Sequence, residues 1–167
     1  DPEQKSNCYK DAIADFNKAI EIDPQIADAY YNRGKALEGG YDYEGAITDY
    51  NKAIELNPQH AFAYKNRALA KMESIDNLES YQEAIQDLNK AIEISPQDAV
   101  IYISRGIARD VEQDPQGALA DYNKAIELNP RYTNAYFDRV NGNTSFNPLN
   151  NGKENLYFIG QIDDYTK

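Results

Sequence analysis

Tryptophan is absent from this 167-residue chain, and cysteine, histidine and methionine occur once each. A single cysteine, Cys8, excludes an intrachain disulfide framework. One histidine, His60, more than fifty positions from that cysteine, makes neither a zinc site nor a convincing Cys–His catalytic pair. His60 falls in a turn, where an exposed structural role is expected, and Cys8 near a helix start reads as a bystander thiol. Basic residues are in deficit, 17 against 28 acidic, for a formal charge of −11. That removes the positive footprint of a nucleic-acid binder and disfavours anionic membrane surfaces. No apolar run approaches the roughly 20 residues that cross a bilayer. Glycine-rich phosphate loops and HExxH are missing too, so no catalytic residue, metal or cofactor is implied.

What is present is periodicity. The pentapeptide Asn-Lys-Ala-Ile-Glu starts at residues 17, 51, 89 and 123, in steps of 34, 38 and 34. A fixed period of this size marks a stack in which each unit buries its apolar face against its neighbours. Within residues 27–60, Tyr30, Tyr31, Gly34 and Leu37 have helical spacing, and Gly39-Gly40 predicts a stop. A second apolar stripe runs through Ala46, Ile47, Tyr50, Ala53, Ile54 and Leu56 and ends at Asn57-Pro58. Each unit is therefore expected to be a helix–turn–helix hairpin.

The columns return along the chain: Tyr30, Tyr64, Tyr102 and Tyr136; then Gly34, Ala68, Gly106 and Val140. In the second helices come Ala12, Ala46, Ala84 and Ala118, then Phe16, Tyr50, Leu88 and Tyr122, then Ala19, Ala53, Ala91 and Ala125, and last Pro24, Pro58, Pro96 and Pro130. This order of aromatic, small, alanine, aromatic, alanine and proline resembles the tetratricopeptide repeat (TPR) family. The resemblance implies an all-α, right-handed superhelical solenoid of antiparallel hairpins. Residues 1–26 would hold the second helix of a truncated first repeat. Full units would follow at 27–60, at 61–98 with a four-residue insertion, and at 99–132, with a degenerate or partial unit at 133–167. All would form one solenoid domain, a fragment of a longer array. The insertion, around Ser74–Ser80, reads as a longer surface loop, after which Ser80 and Glu83 form a capping box.

Arg33, Arg67, Arg105 and Arg139 stand where the family usually has leucine, matched by Asp15, Asp49, Asp87, Asp121 and Asp164. An arginine–aspartate ladder inside or between repeats is expected, because guanidinium and carboxylate pair bidentately.

In the family the first helices line a concave groove, which implies a non-catalytic scaffold for a protein or peptide partner. The implied groove residues are Tyr31 and Lys35; Phe62, Lys65, Asn66, Leu69 and Met72; Val100, Ile103, Ser104 and Ile107; and Phe137 and Asn141. The middle of this set is apolar, as an exposed partner strip would be. A clamp for a terminal carboxylate is disfavoured, since Tyr31, Leu69, Val100 and Ser104 occupy positions that would need to be basic or amide. Two further expectations are a docking arm of a larger enzyme and self-association through uncapped ends, with the cytoplasm as the default compartment.

Overall fold

The structure, a computed structural model, describes residues 2–74 and 78–131. Seven helices make up those residues: α1 (Pro2–Ile22), α2 (Ala27–Gly39), α3 (Tyr43–Leu56), α4 (Ala61–Ser74), α5 (Leu78–Ile94), α6 (Ala99–Val111) and α7 (Pro115–Leu128). Helices α2 and α3, α4 and α5, and α6 and α7 form hairpins; each hairpin then packs on the next through α3 with α4 and α5 with α6. The expected fifth unit at 133–167, with Phe137 and Asn141, lies outside the described residues.

Local chemistry starts and stops these helices. Asp42 accepts the Gly45 N–H at 3.0 Å and Asp114 the Gly117 N–H at 2.9 Å, capping α3 and α7. Pro115 opens α7, where its missing N–H costs no hydrogen bond. Between repeats, Asn57 Oδ1 accepts the Gln59 N–H at 3.0 Å and Asn129 Oδ1 the Arg131 N–H at 3.1 Å, folding the Asn-Pro turns. The stop after α2 works differently from expectation. Gly39 and Gly40 do not supply the left-handed residue; Tyr41 does, at φ 64°, as does Gln113 at φ 60° two hairpins later, between α6 and α7. In both turns a backbone N–H reaches back over the helix end, from Asp42 to Leu37 O and from Asp114 to Arg109 O, each at 2.9 Å.

The insertion also departs from the expected loop. Helix α5 starts at Leu78, so Ser80 sits inside the helix and is buried, not at a cap. Glu83 pairs with Lys71 of α4 at 2.9 Å, and that contact lowers its pKa. Part of the added length has become extra helix, whose backbone hydrogen bonds are satisfied internally.

The core is uneven along the stack. One large cluster joins α4 to α7 through Leu69, Met72, Leu88, Ile103, Ile107 and Tyr122. A smaller one, around Ala46, Tyr50 and Ala70, serves the earlier units.

Candidate functional site: the first-helix face and the ladder behind it

The arginine–aspartate ladder is present three times with the same geometry. Arg33 donates from Nε to Asp49 Oδ2 at 2.7 Å and from Nη2 to Oδ1 at 2.6 Å. Arg105 repeats this on Asp121 at 2.9 and 2.6 Å, and Arg67 holds Asp87 through the same two nitrogens. Each guanidinium also lies 5.5–5.7 Å from the ring centroid of the tyrosine three residues earlier, Tyr30, Tyr64 or Tyr102. Bonding to Asp49 raises the Arg33 pKa further above its ordinary value.

The third donor of each arginine crosses to the preceding repeat. Nη1 of Arg33, Arg67 and Arg105 donates to the side-chain oxygens of Asn17, Asn51 and Asn89 at 2.7, 2.7 and 2.6 Å. These asparagines open the repeated pentapeptide. One side chain thus ties two second helices to the first helix between them. The other pentapeptide charges make the expected solvated pairs, such as Lys52 with Glu55 at 2.8 Å.

The described residues of the expected groove set lie at different depths. Along α2, Tyr31, Lys35 and Glu38 are half-buried. On α4, Phe62 is 49 % exposed, with the Lys65 ammonium 5.3 Å from its ring centroid. Leu69, Met72, Val100, Ile103, Ser104 and Ile107 are buried, as are Lys65 and Asn66. The apolar members of this set, expected as an exposed strip, instead belong to the large core cluster. Burying them removes apolar surface from water, which outweighs leaving a long strip exposed.

His60 corrects another expectation. It is buried, its ring centroid 4.6 Å from that of Tyr31. Its Nδ1 accepts the Ala63 N–H at 3.2 Å, and its Nε2 lies 3.3 Å from Asp28 Oδ1. Cys8 is exposed and lies well inside α1.

Inside the α2–α3 and α6–α7 hairpins lies a feature that sequence reading missed. The Tyr50 hydroxyl donates to Glu38 Oε2 at 2.5 Å, and the Tyr122 hydroxyl to Asp110 Oδ2 at 2.6 Å. Loss of hydration pushes both carboxyls up from their ordinary values, and pushes the Tyr50 hydroxyl up as well. Asn66 also hydrogen-bonds the Tyr50 side chain, so this tether reaches α4. The signal was available in the repeat register, where Glu38 and Tyr50 recur 72 residues on as Asp110 and Tyr122. Among the described residues no cluster of three or more His, Cys, Asp or Glu could hold a metal ion.

Hairpins stacked in one dimension and tied to their neighbours through their first helices define an all-α repeat solenoid. Family models described as TPR repeat and tetratricopeptide repeat match residues 5–39, 27–60 and 76–98. The chain is 30 % identical to the Arabidopsis OM64 TPR domain, covering 72 % of this chain and 96 % of that one, with a TM-score of 0.66. It therefore belongs to the tetratricopeptide repeat family. A structure described as the first TPR of Spaghetti (RPAP3) bound to the HSP90 peptide SRMEEVD is 26 % identical, covering 74 % of this chain and 94 % of that one, with a TM-score of 0.68. MamA shares the fold at 20 % identity, with 99 % of this chain and 94 % of that chain covered and a TM-score of 0.77. No curated protein matches the sequence. The family is one of protein-interaction modules.

Proposed function

We propose that this chain is a non-catalytic scaffold that binds a peptide segment of a partner protein along the inner face of α2, α4 and α6. The observation that carries this reading is Phe62. It is a large aromatic left 49 % exposed on a first helix, whereas Tyr30, Tyr64 and Tyr102 of the first helices stack on the ladder and Tyr50, Tyr81 and Tyr122 fill the core; the other exposed aromatic among the described residues, Tyr41, lies in the turn after α2. Exposed aromatics backed by a rigid surface are frequent anchors of protein contacts. Lys35 and Tyr31 of α2 supply adjacent polar and aromatic surface. A related solenoid holding a peptide supports the same reading. Leu69, Ile103 and Ile107 would act by shaping the floor, since they are buried.

The test is affinity capture from a native lysate with the intact chain and with Phe62→Ala plus Lys35→Ala. Both positions leave the core intact, so circular dichroism should be unchanged. Partners that bind the intact chain should be lost from the double variant. Equal recovery by both would place binding elsewhere. Substitutions at Leu69 or Ile103 would not serve, because a charge there destabilises the fold itself.

A further inference from the structure

The turn between α2 and α3 brings two tyrosine rings together at the surface. Tyr41 is 75 % exposed, although its backbone sits at φ 64°, a conformation that suits glycine better than a bulky side chain. Strain kept at a side chain that packs so little marks a candidate functional residue. The exposure belongs to the turn, since Gln113, at the same register position, is also exposed although a whole hairpin, α4–α5, precedes it. Tyr43, half-buried at the start of α3, meets Tyr41 with ring centroids 6.4 Å apart and planes 79° from parallel. The two rings form a corner, and most of the Tyr41 ring stays open.

The surroundings of this corner are acidic. Between Lys35 and Lys52 the chain has no basic residue, whereas Glu38, Asp42 and Glu44 flank the tyrosines, the last two exposed. Loss of hydration, then the charges of Glu73 and Glu38, push the Tyr43 hydroxyl above its ordinary value, so Glu73 of α4 adds to the negative potential there. The turn between α6 and α7 differs in one column. Arg109 of α6 stands 3.8 Å from the turn acid Asp114, the counterpart of Asp42. Leu37 takes the Arg109 column in α2, so α2 brings no guanidinium to Asp42 from that position.

We propose that the Tyr41–Tyr43 corner receives an arginine side chain from a basic segment of a partner protein. A guanidinium is flat and weakly hydrated, so it can lie on the open Tyr41 ring while its N–H edge bonds Asp42 or Glu44. A basic segment is also drawn to a chain of formal charge −11. The corner lies toward the Glu73 end of α4, about 16 Å along that helix from Phe62, so it does not depend on the inner face holding a peptide.

The probe is the peptide acetyl-Gly-Gly-Arg-Gly-Gly-amide, titrated into the intact chain at low salt and followed by NMR. Saturable shifts are expected at Tyr41, Tyr43 and Glu44. Citrulline in place of the arginine keeps the shape and loses the charge, and should weaken binding about fivefold; lysine should weaken it about twofold. Tyr41→Gly should weaken it about fivefold while the urea midpoint holds or rises, so unfolding would not account for the loss. Tyr41→Phe, which keeps the ring, should bind like the intact chain. Equal binding of the citrulline peptide, binding untouched by Tyr41→Gly, or shifts centred on Phe62 would each overturn the proposal. A lysine peptide that binds as well as the arginine one would overturn the choice of a guanidinium.

Discussion

The hairpins α2–α3 and α6–α7 solve one packing problem in one way, and α4–α5 solves it in another. In the outer two a glycine of the first helix faces a tyrosine ring. A Cβ at Gly34 would come within 2.7 Å of Tyr50, and one at Gly106 within 2.5 Å of Tyr122. The ring hydroxyl then reaches an acid one helical turn beyond the glycine, Glu38 or Asp110. In the middle hairpin the small residue is Ala68, the large one Leu88 and the acid position Met72, all within one apolar cluster. Three positions change together because each answers the other two: the extra methyl needs a shorter neighbour, and a neighbour without a hydroxyl would leave a buried carboxyl unpaired. Repeats with one backbone plan therefore substitute in sets.

The ladder varies over the same hairpins. Asp49 takes Arg33, while Asp87 takes Arg67 and Lys71, and Asp121 takes Arg105 and Arg109. Asp121→Ala should therefore do the most damage, stranding two partly buried guanidiniums at a cost of about 3 kcal/mol. Asp49→Ala should cost less, about 2 kcal/mol. Urea unfolding of the two variants would test the difference, and equal losses would mean that the second cation adds nothing.

Gly106→Ala should cost about 2 kcal/mol, because the buried Tyr122 ring has little room to retreat. Adding Asp110→Met and Tyr122→Leu turns the third hairpin into the pattern of the second, and should recover most of that loss. A triple variant no more stable than the single one would show that the three positions are not a packing set.

Tyr122→Phe removes only the hydroxyl and should cost about 1–2 kcal/mol, by leaving the Asp110 carboxyl without that donor. The tethers also give stability a pH dependence. Glu38 and Asp110 have raised pKa values in the folded state, chiefly through lost hydration. Below the ordinary carboxylate range both are protonated in either state, and their stabilising contribution is complete. As pH rises the unfolded chain releases these protons first, so the contribution falls as pH passes through the raised values. Glu38→Gln with Asp110→Asn should flatten that fall in a series of urea midpoints, and an unchanged slope would assign it to other groups.

The smallest effect belongs to the turns. Gln113→Gly should raise stability by up to about 1 kcal/mol, by relieving a side chain at positive φ, and Tyr41→Gly should act alike. A drop in melting temperature for both would show that these side chains make compensating contacts.

Much of this molecule was legible in its columns. The 34-residue register, the Asn-Pro turns and the arginine–aspartate pairing all follow from spacing and side-chain chemistry, which act over short stretches or repeat without change. Other features depend on which atoms meet across helices from different repeats. The opening asparagine of each pentapeptide reads as one more solvated polar residue until a guanidinium arrives from the next first helix. Leu69, Ile103 and Ile107 have the spacing of an inner face, and whether that face is open or buried is a matter of packing between helices, not of periodicity. The burial of His60 and the start of α5 ahead of Ser80 have the same origin. A turn residue can be buried by a neighbouring tyrosine, and a helix can begin earlier than its cap-like residues when its extra turn finds a packing partner. The sequence by itself determined the units, their order and their polar pairing; the tertiary structure alone decided which surfaces those units cover, because burial belongs to neighbouring units together and to no single one.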